Sequence, residues 1–240
     1  LAILGHQIHA VTTNPTFNTS LKTLTEYDIS VFYELKKSIL PKNTEVFFKK
    51  PTFIGMVLRQ FMYKYFIRLG LEELLNNSNI KTLLKNHGSF DLCIIEWVFP
   101  GGAIFGELFK CPMIGISSVG LQVPMMDCIG NPSHPIMAPD QDLPLSRDVK
   151  SFFEKVWSAT WVVFSRLFHH FCIAPEINGI ISKYFGPGMP KIEDLERNVS
   201  LLILNRNLVF HRPVANVPGV IEIGGFNHHK PIQNIDSVSL

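Results

Sequence analysis

The sequence predicts an α/β domain in which helices flank a parallel β-sheet. Three short apolar runs carry this prediction, at residues 92–95, 112–117 and 201–204, and each has the length of a buried strand. An apolar stretch at residues 102–109 separates the first two runs and is long enough for one helix. Strand, helix and strand at this short spacing are typical of a βαβ unit, whose strands run parallel.

The elements before these runs follow from turn residues and periodicity. Residues 1–5 end in glycine, which is typical of the last turn of a helix, and residues 6–13 predict a strand that stops at Asn14-Pro15. Residues 29–33 are rich in β-favouring side chains and predict a second strand. Two helices are predicted next, over residues 53–75 and 80–85.

The second half of the chain has three further features. Residues 121–144 contain five prolines and predict a long ordered loop, a kind of segment that is often functional. Residues 151–171 predict a helix rich in aromatic side chains, most simply explained by core packing, with a membrane-resting surface as the alternative. Residues 220–223 predict the last strand.

Composition narrows the classes of partner. With 240 residues, 46% of them hydrophobic, the chain can form one large domain or two small ones with a sizeable core. The net charge is +2 and no basic block is present, so nucleic acid is not an expected partner. No apolar run of about 20 residues occurs, and no membrane span is predicted within the chain.

Cysteine and histidine patterns predict neither a metal site nor a disulfide framework. The four cysteines form no C-x-x-C pair, and Cys93 is interpreted as a small core residue. The adjacent histidines at 169–170 and 228–229 do not suggest a shared metal, since neighbours on a helix point to different faces. Three N-glycosylation sequons begin at Asn18, Asn76 and Asn198, and they matter only in a secretory compartment.

Glu96 is the leading candidate functional residue. It ends the apolar run at residues 92–95, and a Pro-Gly-Gly turn at residues 100–102 follows. In an open α/β sheet, ligands bind just beyond the carboxyl ends of the strands. Glu96 is therefore either a functional carboxylate or a structural one that pairs with a nearby base.

Four segments resemble the UDP-glycosyltransferases. FDLCIIE at residues 90–96 resembles a strand of that family ending in an acid, and LGHQIHAVTT at residues 4–13 resembles its RGHEVTVVT segment. The Gly-Asn-Pro loop at residues 130–135 is similar to that of the insect branch. Residues 198–205 and 218–226 resemble a further pair of family strands, and the order and spacing of these segments cover nearly the whole chain.

The resemblance implies a GT-B enzyme with two Rossmann-like domains that face each other across a cleft. It assigns residues 1–226 to the amino-terminal, acceptor-binding domain, with the first strand preceding Leu1, and residues 227–240 to the start of an interdomain linker. The carboxyl-terminal domain, which binds the UDP-sugar, and a membrane anchor are expected to lie outside this chain.

The resemblance also implies a mechanism. The acceptor hydroxyl needs a base to take its proton, and in this family that base is a histidine oriented by an acid. The histidine is expected before Leu1; His6 occupies another family position. Glu96 falls at the position of the orienting acid, where Asp is usual and Glu is one methylene longer.

The acceptor pocket is expected near the strand ends and the proline-rich loop, although ordinary packing is an equal alternative for any one residue. Met126 is a further apolar candidate there. The candidate acceptor-binding residues are Trp97, Phe99, Ser117, Ser118, Met125 and His134.

The expected partners are a small lipophilic acceptor and a UDP-sugar co-substrate, with glucose as the sugar and no cofactor. Homo-oligomerisation stays open. The full protein is expected at the lumenal side of the endoplasmic reticulum membrane, and the 240 residues alone are expected to lack turnover. The alternatives are a truncated, non-catalytic acceptor- or partner-binding protein and a GT-B transferase with a different donor.

Overall fold

The computed structural model describes residues 1–17, 20–39, 52–86, 88–140, 143, 151–207 and 213–225. These residues form two sheets in which all neighbouring strands are parallel. One sheet pairs β1 (Ile8–Thr12) with β2 (Leu24–Asp28), and the other has the order β3 (Cys93–Glu96), β4 (Met113–Ser117), β5 (Val199–Leu204), β6 (Val220–Glu222). The predicted α/β class with parallel strands is therefore confirmed.

Helices connect the strands. The α-helices are α1 (Val31–Ile39), α2 (Phe53–Asn76), α3 (Ser78–Asn86), α4 (Ile104–Phe109), α5 (Val123–Asp127), α6 (Phe152–Phe168), α7 (Ala174–Phe185) and α8 (Ile192–Arg197). Short 3-10 turns cover Ala2–Leu4 and Pro100–Ala103, and a π-helical segment covers His169–Ile173.

Side chains that cap the first turn fix where two long helices begin. The Thr52 hydroxyl accepts the Gly55 amide at 3.1 Å at the start of α2. At the start of α6, the Glu154 amide donates to the Ser151 hydroxyl at 3.2 Å, and the Glu154 carboxylate accepts the Ser151 amide at 3.0 Å. These bonds satisfy amides that have no partner within the helix.

The main core lies between the four-stranded sheet and helices α2, α7 and α8. Leu71 of α2, Ile177 of α7 and Leu202 of β5 are fully buried within one cluster, and Leu195 of α8 joins them. The apolar strand runs and the apolar helix positions of the sequence thus meet in a single core.

The strand predicted over residues 29–33 is wrong. The strand is β2, which ends at Asp28, and α1 begins at Val31. The Asp28 carboxylate accepts the Ser30 amide at 2.7 Å, which turns the chain directly into the helix. This local polar bond outweighs the β-favouring side chains that follow.

The prediction that β3 is buried on both faces is also wrong. β3 lies at the edge of the four-stranded sheet, where β4 is its one strand partner among the described residues. Leu92, just before it, is exposed, and the Ile94 side chain is 51% exposed. An apolar run therefore gave the strand correctly but not its place at an edge.

Two segments of the second half also differ from expectation. The predicted loop at residues 121–144 contains α5, because Val123, Met125 and Met126 turn towards the core and Pro124 suits a first helical turn. The helix predicted over residues 151–171 changes to a π-helix after Phe168. Pro175 has no amide hydrogen for a regular α-helical bond there.

The aromatic residues of that second segment are only partly in the core. Trp161 and Phe168 are buried as expected, whereas Phe152, Phe153 and Phe171 are exposed. The core interpretation is therefore wrong for those three side chains.

Cys93 is paired in a disulfide with Cys111, which corrects its interpretation as a plain core residue. Cys93 opens β3, and Cys111 stands two residues before β4, the parallel neighbour of β3. Their Cα atoms are 6.4 Å apart. The pairing follows from strand adjacency, which cysteine spacing along the chain does not reveal.

Candidate active site

The Glu96 carboxylate is held at the carboxyl end of the sheet. Glu96 is the last residue of β3, and its carboxylate accepts hydrogen bonds from the backbone amides of Val98 and Ser118. Partial burial raises the pKa of Glu96 above its usual value, by more than the two amide bonds lower it. The side chain remains open to solvent on one side.

The turn after Glu96 is fixed by close packing. A Cβ atom on Gly102 would lie 2.6 Å from Cγ2 of Ile95, so only glycine lets the Pro100–Ala103 turn fold against β3. The Tyr63 hydroxyl of α2 donates to the Val98 carbonyl at 2.7 Å. These contacts set the path of the chain as it leaves the strand.

A chain of hydrogen bonds continues from Glu96 across the strand ends. The Asn205 side-chain amide donates to the Ser118 carbonyl at 3.0 Å, and the Asn205 backbone amide donates to the Ser117 carbonyl at 3.0 Å. The Asn205 side-chain oxygen accepts the Gly225 amide at 3.1 Å. Asn205 therefore ties together the segments that follow β4, β5 and β6.

A second cluster of polar groups lies at the ends of β5 and β6. The Arg206 guanidinium and the Glu222 carboxylate are 3.0 Å apart and mostly buried. The Asn216 side-chain amide donates to the same carboxylate at 3.1 Å. The Asn131 side-chain oxygen accepts the Val217 amide at 2.9 Å, which fastens the Gly-Asn-Pro loop to this cluster.

Sequence reasoning missed these groups, although part of the signal was present. Asn205 follows β5 and Glu222 ends β6, each after an apolar run, as Glu96 follows the first run. The contact between Asn131 and Asn216 joins residues 85 positions apart and has no such signal.

Four of the candidate acceptor-binding side chains pack in the core or against it. Trp97 is 2% exposed, and its indole N–H donates to the Met125 carbonyl at 3.3 Å. Met125 and Met126 are buried beside it. Phe99 is half-buried, with its ring against Gly70 of α2. These side chains therefore contribute to the packing of the main core.

The remaining candidates differ in exposure. Ser117 is fully buried, and its hydroxyl accepts the Val119 amide at 3.3 Å. Ser118 is exposed beside Glu96. His134 is exposed in the loop after α5, and its Nδ1 accepts the amides of Ile136 and Met137 at 3.3 and 3.0 Å.

No histidine in the described part of the chain forms an ion pair or hydrogen bond with Glu96. His9 of β1 lies 3.1 Å from the Tyr27 hydroxyl, and His169 lies 3.8 Å from the buried Glu196 carboxylate. The described residues also contain no group of three or more His, Cys, Asp or Glu side chains that could hold a metal ion.

The structure describes the asparagines of two of the three sequons. Asn76 ends α2 and Asn198 directly precedes β5, and both side chains are exposed. Asn18 lies outside the described residues, as do Phe226, the predicted linker at residues 227–240 and the histidine pair at 228–229.

Comparison with known proteins identifies the relatives. The chain is 31% identical over 169 residues to an ecdysteroid UDP-glucosyltransferase of Autographa californica nuclear polyhedrosis virus, covering 67% of this chain and 31% of the relative. It is 28% identical over 237 residues to UDP-glucosyltransferase 2 of Dactylopius coccus, covering 96% of this chain and 44% of the relative. The chain is related to the UDP-glycosyltransferases.

A UDP-glucuronosyltransferase of Pleuronectes platessa is also 27% identical over 167 residues, covering 66% of this chain and 33% of the relative. The matches thus span about a third to under a half of each UDP-glycosyltransferase. No protein-family profile and no solved structure matches the chain. Among the described helices, none combines the length and apolar character needed to cross a membrane.

Proposed function

We propose that the chain forms the acceptor-binding half of an inverting UDP-glycosyltransferase of the GT-B architecture. The enzyme transfers glucose from UDP-glucose to a hydroxyl of a small lipophilic acceptor. The observation that carries the proposal is the Glu96 carboxylate, held by two amides at a strand end in a chain related to UDP-glycosyltransferases. Glucose is favoured because two of the relatives above are UDP-glucosyltransferases.

In the proposed reaction, the acceptor oxygen attacks the anomeric carbon as UDP leaves. A histidine supplied by residues preceding Leu1 takes the hydroxyl proton. Glu96 accepts a hydrogen bond from the other ring nitrogen, which fixes the tautomer and stabilises the imidazolium that forms. The amides of Val98 and Ser118 suit this role, because they hold the carboxylate while leaving it open on one side.

The free strand edges support a missing first strand. β1 and β3 each lack a partner on one side among the described residues. The His9 ring of β1 lies 5.2 Å from the Phe90 ring just before β3, so the two sheets are neighbours. A parallel strand between β1 and β3 would join them into one Rossmann-like sheet and cover Ile94.

A lumenal location is supported by two features of the chain. The disulfide between Cys93 and Cys111 is of a kind that persists in oxidising compartments. The sequon residues Asn76 and Asn198 are exposed, as glycosylation requires. The full protein is proposed to lie on the lumenal side of the endoplasmic reticulum, held by an anchor outside these residues.

The Glu96→Gln variant of the full-length enzyme tests the proposal. Turnover should fall about 100-fold or more, since the amide cannot stabilise an imidazolium, while the KM for the acceptor changes little. Glu96→Asp should restore much of the turnover. Glu107→Gln, which removes a partly buried carboxylate of α4 that pairs with Lys110 and has no proposed role in the reaction, is the matched control. Unchanged turnover in Glu96→Gln would reduce Glu96 to a structural residue.

A further inference from the structure

Asn205 holds both of the peptide planes that flank Ser118. Its backbone amide donates to the Ser117 carbonyl at 3.0 Å, and that carbonyl belongs to the same peptide unit as the Ser118 N–H. The Asn205 side-chain amide donates to the Ser118 carbonyl, in the next peptide unit, at 3.0 Å. Because a peptide unit is planar, a bond that fixes its carbonyl oxygen also fixes the direction of its N–H. Asn205 therefore sets the direction of the Ser118 amide, which donates to the Glu96 carboxylate.

Hydrogen bonds matter at this place because the chain lies at the surface. Ser118 and Val119 are both exposed, so the apolar core contributes little to holding them. The Ser117 hydroxyl accepts the Val119 amide at 3.3 Å, but this bond stays within the segment that follows β4. The bonds from Asn205 attach that segment to the end of the neighbouring strand, β5.

The partners of the Asn205 side chain require an amide. The Ser118 carbonyl can only accept a hydrogen bond, and the Gly225 amide can only donate one. Asn205 satisfies both, since its nitrogen faces Ser118 and its oxygen accepts the Gly225 amide at 3.1 Å. A carboxylate of the same shape lacks the donor, and an apolar side chain lacks both groups.

The second partner, Gly225, keeps the Asn205 amide from rotating. Gly225 has a φ of 84°, a left-handed conformation that favours glycine. The chain just before it is bound to β5, because the Ile223 amide donates to the Leu204 carbonyl at 2.8 Å. The oxygen of the Asn205 side chain is thus anchored at the end of the ladder between β5 and β6, and its nitrogen is directed at Ser118.

The backbone bond of Asn205 also strengthens the contact with Glu96. A peptide unit that accepts a hydrogen bond at its carbonyl is polarised and donates more strongly at its N–H. The Ser117 carbonyl accepts such a bond from Asn205, and the N–H of the same unit faces Glu96. Both the direction and the strength of this contact therefore depend on the residue that follows β5.

We propose that Asn205 is a positioning residue for sugar transfer, which acts on the reaction by keeping the Ser118 amide directed at the Glu96 carboxylate. Asn205 touches neither substrate in this proposal. The inference rests on the proposed function, because it assumes that Glu96 orients the catalytic base.

Kinetics of the full-length enzyme test the proposal. In Asn205→Ala, turnover should fall about tenfold or more while the KM for the acceptor changes little, because a displaced carboxylate orients the base poorly without altering acceptor contacts. Asn205→Asp keeps an oxygen for the Gly225 amide but cannot donate to the Ser118 carbonyl, so its turnover should fall as well.

Asn178→Ala is the matched control. Asn178 is also half-buried, and its side chain also joins two segments of the chain. It donates to the Glu193 carboxylate at 3.0 Å and accepts the Ile192 amide at 2.7 Å. The control therefore loses a similar pair of bonds away from the strand ends, and its turnover should stay close to that of the unmodified enzyme.

Circular dichroism checks that each variant is folded at the assay temperature. If Asn205→Ala does not fold, Asn205→Asp replaces it, because an oxygen remains there to accept the Gly225 amide.

The double variant Asn205→Ala/Glu96→Gln separates positioning from a general structural role. If Asn205 acts through Glu96, its removal should lower the turnover of Glu96→Gln by no more than about twofold, since residues that act as a unit are not additive. Losses of turnover that multiply would show that Asn205 acts independently of Glu96, and would overturn the proposal.

The single variants distinguish this inference from the proposed function. If Glu96→Gln loses turnover while Asn205→Ala or Asn205→Asp keeps it, the inference is overturned and the proposed function stands. If Asn178→Ala loses as much turnover as Asn205→Ala, the effect is one of stability and the inference is again overturned. Unchanged turnover in Glu96→Gln would overturn both.

Discussion

The Asn205 side chain reaches the Ser118 carbonyl at 3.0 Å, while the Ser118 amide holds the Glu96 carboxylate. The position of Glu96 therefore depends on a residue that lies after β5, more than 100 positions along the chain. The position of the acid that we propose for catalysis therefore depends on the whole sheet and on the turns that follow its strands.

Asn205→Ala should destabilise the chain by about 1–2 kcal/mol, because it removes the side-chain bonds to Ser118 and Gly225. Urea denaturation measures the change in the free energy of unfolding. Ser118→Ala keeps both backbone bonds of that residue and should change stability little. Equal effects of the two variants would contradict the role given to Asn205.

Glu96 should make stability depend on pH in a defined direction. Its raised pKa means that the folded chain binds the proton more tightly than the unfolded chain. The resulting stability is present below the ordinary pKa and is lost as pH rises through the folded pKa. The free energy of unfolding of the unmodified chain minus that of Glu96→Gln should therefore fall as pH rises above 4.5. If this difference in the free energy of unfolding did not change with pH, the raised pKa of Glu96 would be refuted.

The Cys128 thiol should resist alkylation in the folded chain. Burial is the main cause that raises the pKa of Cys128 to about 12, which leaves roughly one thiolate in ten thousand at pH 8. Mass spectrometry after iodoacetamide treatment should find Cys128 unmodified in buffer and modified in urea. Cys172, which lines a groove between α2 and α7, serves as the internal comparison. Rapid labelling of native Cys128 would show that the thiol is not shielded.

Reduction of the disulfide between Cys93 and Cys111 should destabilise the chain. The bridge closes a loop of sequence separation 18, for which chain entropy predicts about 3 kcal/mol. Urea midpoints with and without reductant measure the effect. Cys93→Ser/Cys111→Ser should have the lower midpoint without reductant, about the same midpoint as the unmodified chain with reductant, and no response to reductant. If the urea midpoint of the unmodified chain were the same with and without reductant, the stabilising role of the bridge would be contradicted.

Glycosylation should reach Asn76 and Asn198 when the full protein passes through a secretory compartment, since both side chains are exposed. Treatment with a glycosidase specific for N-linked glycans should increase mobility on a gel. Asn76→Gln and Asn198→Gln should each remove one step of that shift. Asn131→Gln, at a buried asparagine outside any sequon, should leave the shift unchanged. No shift in the unmodified protein would count against the lumenal location.

Local patterns were sufficient where neighbours along the chain decide the outcome. Residues 53–75 gave α2, because a long apolar stretch without proline after a capping threonine favours a helix locally. The strand predicted over residues 29–33 was wrong, because the hydrogen bond that the Ser30 amide donates to the Asp28 carboxylate outweighed their β propensity.

The sequence by itself determined the parallel α/β class, most of its elements and the place of Glu96 at a strand end. Apolar runs, periodicity and turn residues are local, and they carry that information. Only the tertiary structure decided that β3 is an edge strand, that Cys93 meets Cys111, that Trp97 belongs to the core, and that Asn205 joins the strand ends. Each of these depends on which distant segments pack side by side, and no local sequence pattern indicates which segments those are.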